Sequence, residues 1–219
     1  MHWDFASIYD NRDALLMGAL GTLHLFAISL VCGLGLGLIV GIGRYARSRL
    51  LYWPATAFVE FFRNTPVLVQ ILWFYFALPI LSPFEISPLA AATLGISLNA
   101  AAFSAEIYRG GIQSIEPGQW DGARALGMRW SQAMRRIILP QALKRTLPAL
   151  TNRAIEIFKV STLASAVAYI ELLQQAKLVA SINFNPIEAY TTVAVIFFLF
   201  LWPLVQCTYW LERRLRRDE

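Results

Sequence analysis

The chain has 219 residues, of which 57% are hydrophobic and only 15% charged, with a net charge of +5. Its mean hydropathy of +0.52 and long uncharged runs set aside an ordinary soluble domain. They also set aside a β-barrel, whose strands would alternate rather than run continuously apolar.

Residues 1–13 lack a basic n-region, and the apolar run that follows is too long for a signal-peptide core. Ala14 to Gly43 holds no Asp, Glu, Lys or Arg and predicts a first span near 14–43. A helix of that length rises about 45 Å against a hydrocarbon core of about 30 Å, so it spans with tilt. Its Gly33, Gly37 and Gly41 share one helix face, and small residues there let backbones approach closely in lipid. The partner of that face is either another span of this chain or a second copy of a similar subunit. His24 and the two cysteines, Cys32 and Cys207, read as packing residues. No metal site is expected.

Leu50 to Phe62 contains Trp53-Pro54 and Glu60 and reads as an interfacial helix leading into a second span near 62–82. A third span follows near 87–108, a fourth near 147–169 and a fifth near 188–211. Pro66, Pro79 and Pro203 should kink or break their helices, and broken helices at membrane depth usually line a cavity. Basic residues flank the spans on one side: Arg44, Arg47 and Arg49; Arg109, Arg124, Arg129, Arg135, Arg136, Lys144 and Arg145; Arg213, Arg214, Arg216 and Arg217. Only Arg12 and Lys177 fall opposite. The positive-inside rule then places the N-terminus outside and the C-terminus in the cytosol. These arginines account for the net charge without nucleic acid. The predicted fold is an all-α integral membrane protein of five transmembrane helices, one domain over 1–219.

The loop at 109–145 is long, basic and turn-rich. Glu116-Pro117-Gly118-Gln119 signals a turn. Trp120 to Leu126 has helix-forming character with Asp121 in the first turn, and Gly127 can stop it in the left-handed conformation. Ser131 can cap a second helix, ended by Pro140. A seven-residue helix is marginal alone. It therefore reads either as a docking element held by a partner's socket or as a connector resting on headgroups.

Here the residues carry a resemblance. Asp121-Gly122-Ala123, Gly127 and Ile137-x-Leu139-Pro140 match the spacing of the EAA loop. Glu60 to Gln70 (EFFRNTPVLVQ), Ala105 to Ile112 (AEIYRGGI), Ile138 to Leu143 (ILPQAL) and Lys159 to Leu163 (KVSTL) continue the match. Over roughly residues 15 to 212 the chain resembles the membrane-spanning permease subunit of bacterial polar amino acid ABC importers. It departs from the loop motif in reading Asp-Gly-Ala for Glu-Ala-Ala; Gly122 should loosen the short helix by about 0.5–1 kcal/mol. The resemblance implies a bacterial inner membrane, multi-pass location. It implies two ATP-binding subunits, a second permease chain (self or sister) and an extracytoplasmic amino acid-binding protein. It implies a coupling helix formed by Trp120, Asp121, Gly122, Ala123, Arg124 and Gly127. This chain has no nucleotide-binding motif: Gly33-Leu-Gly-Leu-Gly37 has the wrong spacing and lies in a span. No cofactor is therefore expected in it, and ATP and Mg fall to the partner subunits.

Ionisable residues at membrane depth mark pathways or pairs. Asn152, Glu156 and Lys159 share a face of the fourth span, followed by Ser161 and Thr162. They read either as a Glu156–Lys159 staple or as groups meeting a substrate's charges. Glu106 reads as a gate or as a partner of Arg109, and Asn99 and Gln70 as helix bridges or path lining. Family members often carry an acid after the Asn, where this chain has Arg153. If Arg153 faces the path, acidic or neutral amino acids such as glutamate, aspartate or glutamine are favoured; if it snorkels to the interface it is silent. The competing readings are a self-sufficient secondary amino acid transporter and a membrane anchor for a cytosolic enzyme.

Overall fold

The computed structural model describes residues 5–46, 48–83 and 85–215, leaving the side chains of Glu212 and Leu215 aside. Arg47, Arg216 and Arg217, used above, lie outside them. The regular elements among the described residues are all helices, with no strand. In order they form α1 (Ala6–Asp10), α2 (Arg12–Tyr45), α3 (Arg49–Asn64), α4 (Val67–Leu72), α5 (Leu78–Leu81), α6 (Pro88–Gln113), α7 (Pro117–Ala125), α8 (Trp130–Ala133), α9 (Leu139–Val160), α10 (Leu172–Asn183) and α11 (Pro186–Leu215). α2, α6 and α11 are long and apolar enough to cross a membrane; α3 with Val67–Leu81 makes a fourth if read as one broken span. α6 is the inner one, with 61% of its apolar window buried against 11% for α11. α11 instead exposes Phe198, Leu199 and Trp202, the face a lipid-contacting helix presents.

Proline sets the local departures from α geometry. Pro66 is extended (φ −62°, ψ 134°) between α3 and α4, as predicted for a break. π-helical turns at Trp73–Ala77 and Met134–Ile138 each run directly into a Leu-Pro pair, Leu78-Pro79 and Leu139-Pro140. A proline lacks the N–H that an i−4 carbonyl needs and its ring crowds that carbonyl; widening the turn before it relieves both. So Pro140 does not end the loop helix as the sequence suggested. It opens α9. Pro203 also lies within a single helix, α11.

The fourth predicted span, near 147–169, needs the largest correction. Its α-helix ends at Val160 and tightens into a 3₁₀ helix over Ser161–Val167, closed by Ala168 in the left-handed region (φ 56°). A further helix, α10, follows; the sequence reading had no element there. Glu171 is its N-cap, its carboxyl oxygens accepting from the Leu173 and Gln174 N–H groups at 2.8 and 2.6 Å.

The chain divides into two compact units, each taken by itself. The first comprises residues to Val31, Thr65–Ser97 and Ala154–Cys207. Its core gathers Ile8, Leu15, Leu172, Ala176, Val179, Ala189 and Val193. Here the segment before α10 is clipped onto α2: Tyr169 donates to the Gly21 carbonyl at 3.2 Å, and the Leu172 N–H donates to Thr22 at 3.1 Å. The approach demands glycine, because a Cβ on Gly21 would collide with the Ile170 carbonyl and one on Gly18 would sit 2.9 Å from the Leu172 Cα. The second unit comprises Cys32–Asn64, Leu98–Arg153 and the chain from Thr208. Here a Cβ on Gly37 would lie 2.9 Å from the Ala101 carbonyl, and one on Gly41 would lie 2.8 Å from that of Ala105. The glycine face of α2 therefore packs on α6 of the same chain at these two positions.

Candidate functional site

Two arrangements in the second unit bear on function. The first is α7. It begins earlier than predicted, with Glu116 as N-cap and Pro117 at the first helical position, where a missing N–H is harmless. Asp121 consequently lies past the first turn and pairs with Arg124 at 2.9 Å. At the other end the Gly127 N–H reaches Arg124 O at 2.9 Å and the Met128 N–H reaches Ala123 O at 3.1 Å. With Gly127 at φ +69°, this is the complete left-handed cap that the sequence predicted. Ser131 does not cap α8: Arg129 holds that position, its N–H donating to Gln132 Oε1 at 2.9 Å.

The short helix packs on its own chain. Trp120 stacks on Tyr45 at 5.9 Å and rests on a core of Ile112, Ile115, Met134, Ile138 and Ala142. Ala123 is buried, and Gln141 donates to Gln119 Oε1 at 3.1 Å. Asp121, Gly122, Arg124 and Gly127 face solvent, and so does Leu126, 77% exposed. The predicted coupling residues thus divide into an inward pair, Trp120 and Ala123, and an outward set.

The second arrangement lies on α6. Asn99, Phe103 and Glu106 stand at steps of four and three, on one face. Asn99 donates to the Phe62 carbonyl at 2.8 Å and accepts from Arg153 Nη2 at 2.9 Å. The Arg153 guanidinium lies over the Phe103 ring at 4.5 Å, and that of Arg63 lies 5.1 Å from the same ring. Arg153 is half-buried. Glu106 is an ionic hub: Arg109 binds it at 2.7 Å, Arg44 pairs with it directly, and Arg63 approaches to 3.9 Å. Arg44 also reaches Glu60 at 3.8 Å. Three helices, α2, α3 and α6, are tied together at that carboxylate. Sequence reasoning named Arg109 alone as its partner and missed Phe103, although the Asn99–Phe103–Glu106 spacing was there to read.

The other predicted residues are spent locally or stand apart. Gln70 is buried and donates to Thr65 O and Oγ1 at 3.0 and 2.6 Å, fastening the restart of the helix after Pro66. Ser161 donates to Phe158 O at 2.7 Å and Thr162 to Lys159 O at 2.9 Å. Asn152, Glu156 and Lys159 are exposed. Cys32 and Cys207 are free, and no cluster of His, Cys, Asp and Glu among the described residues could hold a metal.

Long apolar helices, with the short glycine-capped α7 between α6 and α9, are the features of an all-helical membrane protein. Residues 33–218 match the family described as "Binding-protein-dependent transport system inner membrane component", and the chain belongs to it. It is similar to the probable glutamine ABC transporter permease protein GlnM of Bacillus subtilis, 36% identical over 96% of this chain and 97% of that protein. It is 34% identical to the glutamine transport system permease protein GlnP of Escherichia coli over 99% of each. Among solved structures, a chain from the crystal structure of an amino acid ABC transporter with histidines superposes with a TM-score of 0.89 at 33% identity, covering 98% of this chain and all of that one. The protein is thus a permease subunit of an ABC importer. In that class the permease is not itself the ATPase.

Proposed function

We propose that this chain forms the translocation path for polar L-amino acids in an ATP-driven importer of the bacterial cytoplasmic membrane, with five spans, an outer N-terminus and a cytosolic C-terminus. On this reading α9 with its 3₁₀ continuation completes the count beside α2, the α3–α5 segment, α6 and α11. Two ATP-binding subunits, a second permease and an extracytoplasmic binding protein make up the assembly. The names of the relatives support an amino acid cargo, and the geometry of α7 carries the coupling role. An exposed helix with a solvent-facing Leu126, pinned by Trp120 to the core that leads into α9, is built to receive a push and pass it on. Closure of the ATP-binding pair displaces α7, and α9 moves with it. Each ligand shifts the inward–outward equilibrium only by its differential affinity for the two states.

Asn99, Phe103 and Arg153 supply the specificity. A guanidinium fixed on a ring and an amide presents donors suited to a carboxylate and repels a cationic side chain. Acidic or neutral amino acids are therefore the favoured cargo. Glu106 and its three arginines lock the cytosolic ends of the helices, while Asn152, Glu156 and Lys159 line the route. Replacing Gly127 by Leu or Asp121 by Lys tests the coupling: the ATP-binding subunits should dissociate or uncouple while the spans stay folded. Normal association and transport in both variants would refute it. A self-sufficient secondary transporter is the competing reading, and it predicts uptake without ATP.

A further inference from the structure

Beside α7 lies a cavity of about 600 Å³ whose floor is apolar, formed by Tyr45, Ile115, Trp120, Met128, Trp130 and Ala133. The floor is preformed, because Trp120 is stacked on Tyr45 and both pack on the loop core. Arg124, ion-paired to Asp121, lines the cavity, and the exposed Arg129 stands between the lining residues Met128 and Trp130. A preformed aromatic pocket with arginines at its rim suits a large apolar side chain with a carboxylate beside it.

We infer that this cavity is a socket for an aromatic or branched apolar side chain, together with the residues flanking it, on an acidic surface segment of the ATP-binding subunit. The two proteins then interlock in both directions, α7 entering the subunit and the subunit's side chain entering this chain. The inference rests on the reading that α7 docks that subunit, and continuity with the exposed face of α7 selects the same partner. A single well-buried anchor of this kind commonly dominates an interface. It also explains why Trp130 is left 38% exposed.

The test uses the complex of this chain with its co-expressed ATP-binding subunit, purified in nanodiscs. A benzoylphenylalanine is placed at position 126 or 130, and the cross-linked peptides are identified. In parallel, binding of the ATP-binding subunit is measured for Met128→Trp, which narrows the cavity, and for Arg129→Glu. The socket predicts cross-links from both positions. Those from 130 should fall on a segment with Asp or Glu beside an apolar residue, and each substitution should weaken binding at least tenfold. Cross-links from 126 alone, with unchanged affinity in both variants, would overturn the socket and leave α7 docking intact. Cross-links from neither position would overturn both. Should Met128→Trp misfold, the position-130 cross-link and Arg129→Glu decide.

Discussion

At the residue scale the tightest constraints are glycines. Gly21 lies so close to the Ile170 carbonyl that no Cβ fits. Gly21→Ala should cost about 1–3 kcal/mol or more, since overpacking against backbone cannot relax cheaply. Gly35, with nothing within 4 Å, is the control: Gly35→Ala should be neutral or slightly stabilising. Thermal unfolding of the purified chain in detergent checks both. Glu171 yields a pH prediction. It is fully buried, and burial pushes its carboxyl from the usual 4.5 up to about 7, against the pull of the Leu173 and Gln174 N–H groups and of Lys177. Between those values the folded chain holds a proton that the unfolded chain has lost. This contribution to stability is therefore fully present below pH 4.5 and is lost as pH rises past 7. The whole effect is on the order of 3 kcal/mol. The gap in melting temperature between the wild type and Glu171→Gln should shrink from pH 5 to pH 8; a constant gap would refute the assignment.

At the element scale α7 shows what was legible and what was not. Gly127 was readable because a left-handed cap favours glycine on local grounds alone. The helix start at Pro117 was missed by three residues, because the turn signal of Glu116-Pro117-Gly118 serves equally well as a helix N-terminus. The role of Pro140 was misread because a π-turn upstream can absorb a proline, and that depends on neighbours distant in sequence. Hydropathy brought out α2, α6 and α11. It could not bring out α10, whose start depends on Glu171 being buried under α2. The partners of Glu106 were equally hidden, since Arg44 and Arg63 stand 62 and 43 residues away in sequence. α7 also carries a prediction of its own. A Cβ on Gly122 meets nothing within 4 Å, so Gly122→Ala should firm the helix by about 0.5–1 kcal/mol. Slower hydrogen exchange at Ala125 and Leu126 would report it.

At the scale of the whole molecule the proposed function joins α7, as a coupling helix, to a path whose charge would select its cargo. On the proposed function Arg153, held by Asn99 and Phe103, is the selector. Arg153→Glu should lower uptake of acidic amino acids by about tenfold or more, equivalent to about 1.4 kcal/mol, and admit cationic ones. An unchanged profile would remove Arg153 from the path.

The central claim is tested most directly by uptake into proteoliposomes. The chain is reconstituted with its ATP-binding subunit, any sister permease and its binding protein, and offered glutamate, aspartate, glutamine, histidine and arginine separately. The account predicts uptake of glutamate, aspartate or glutamine that needs both ATP and the binding protein. Uptake that proceeds without ATP would contradict it and make the chain a secondary transporter.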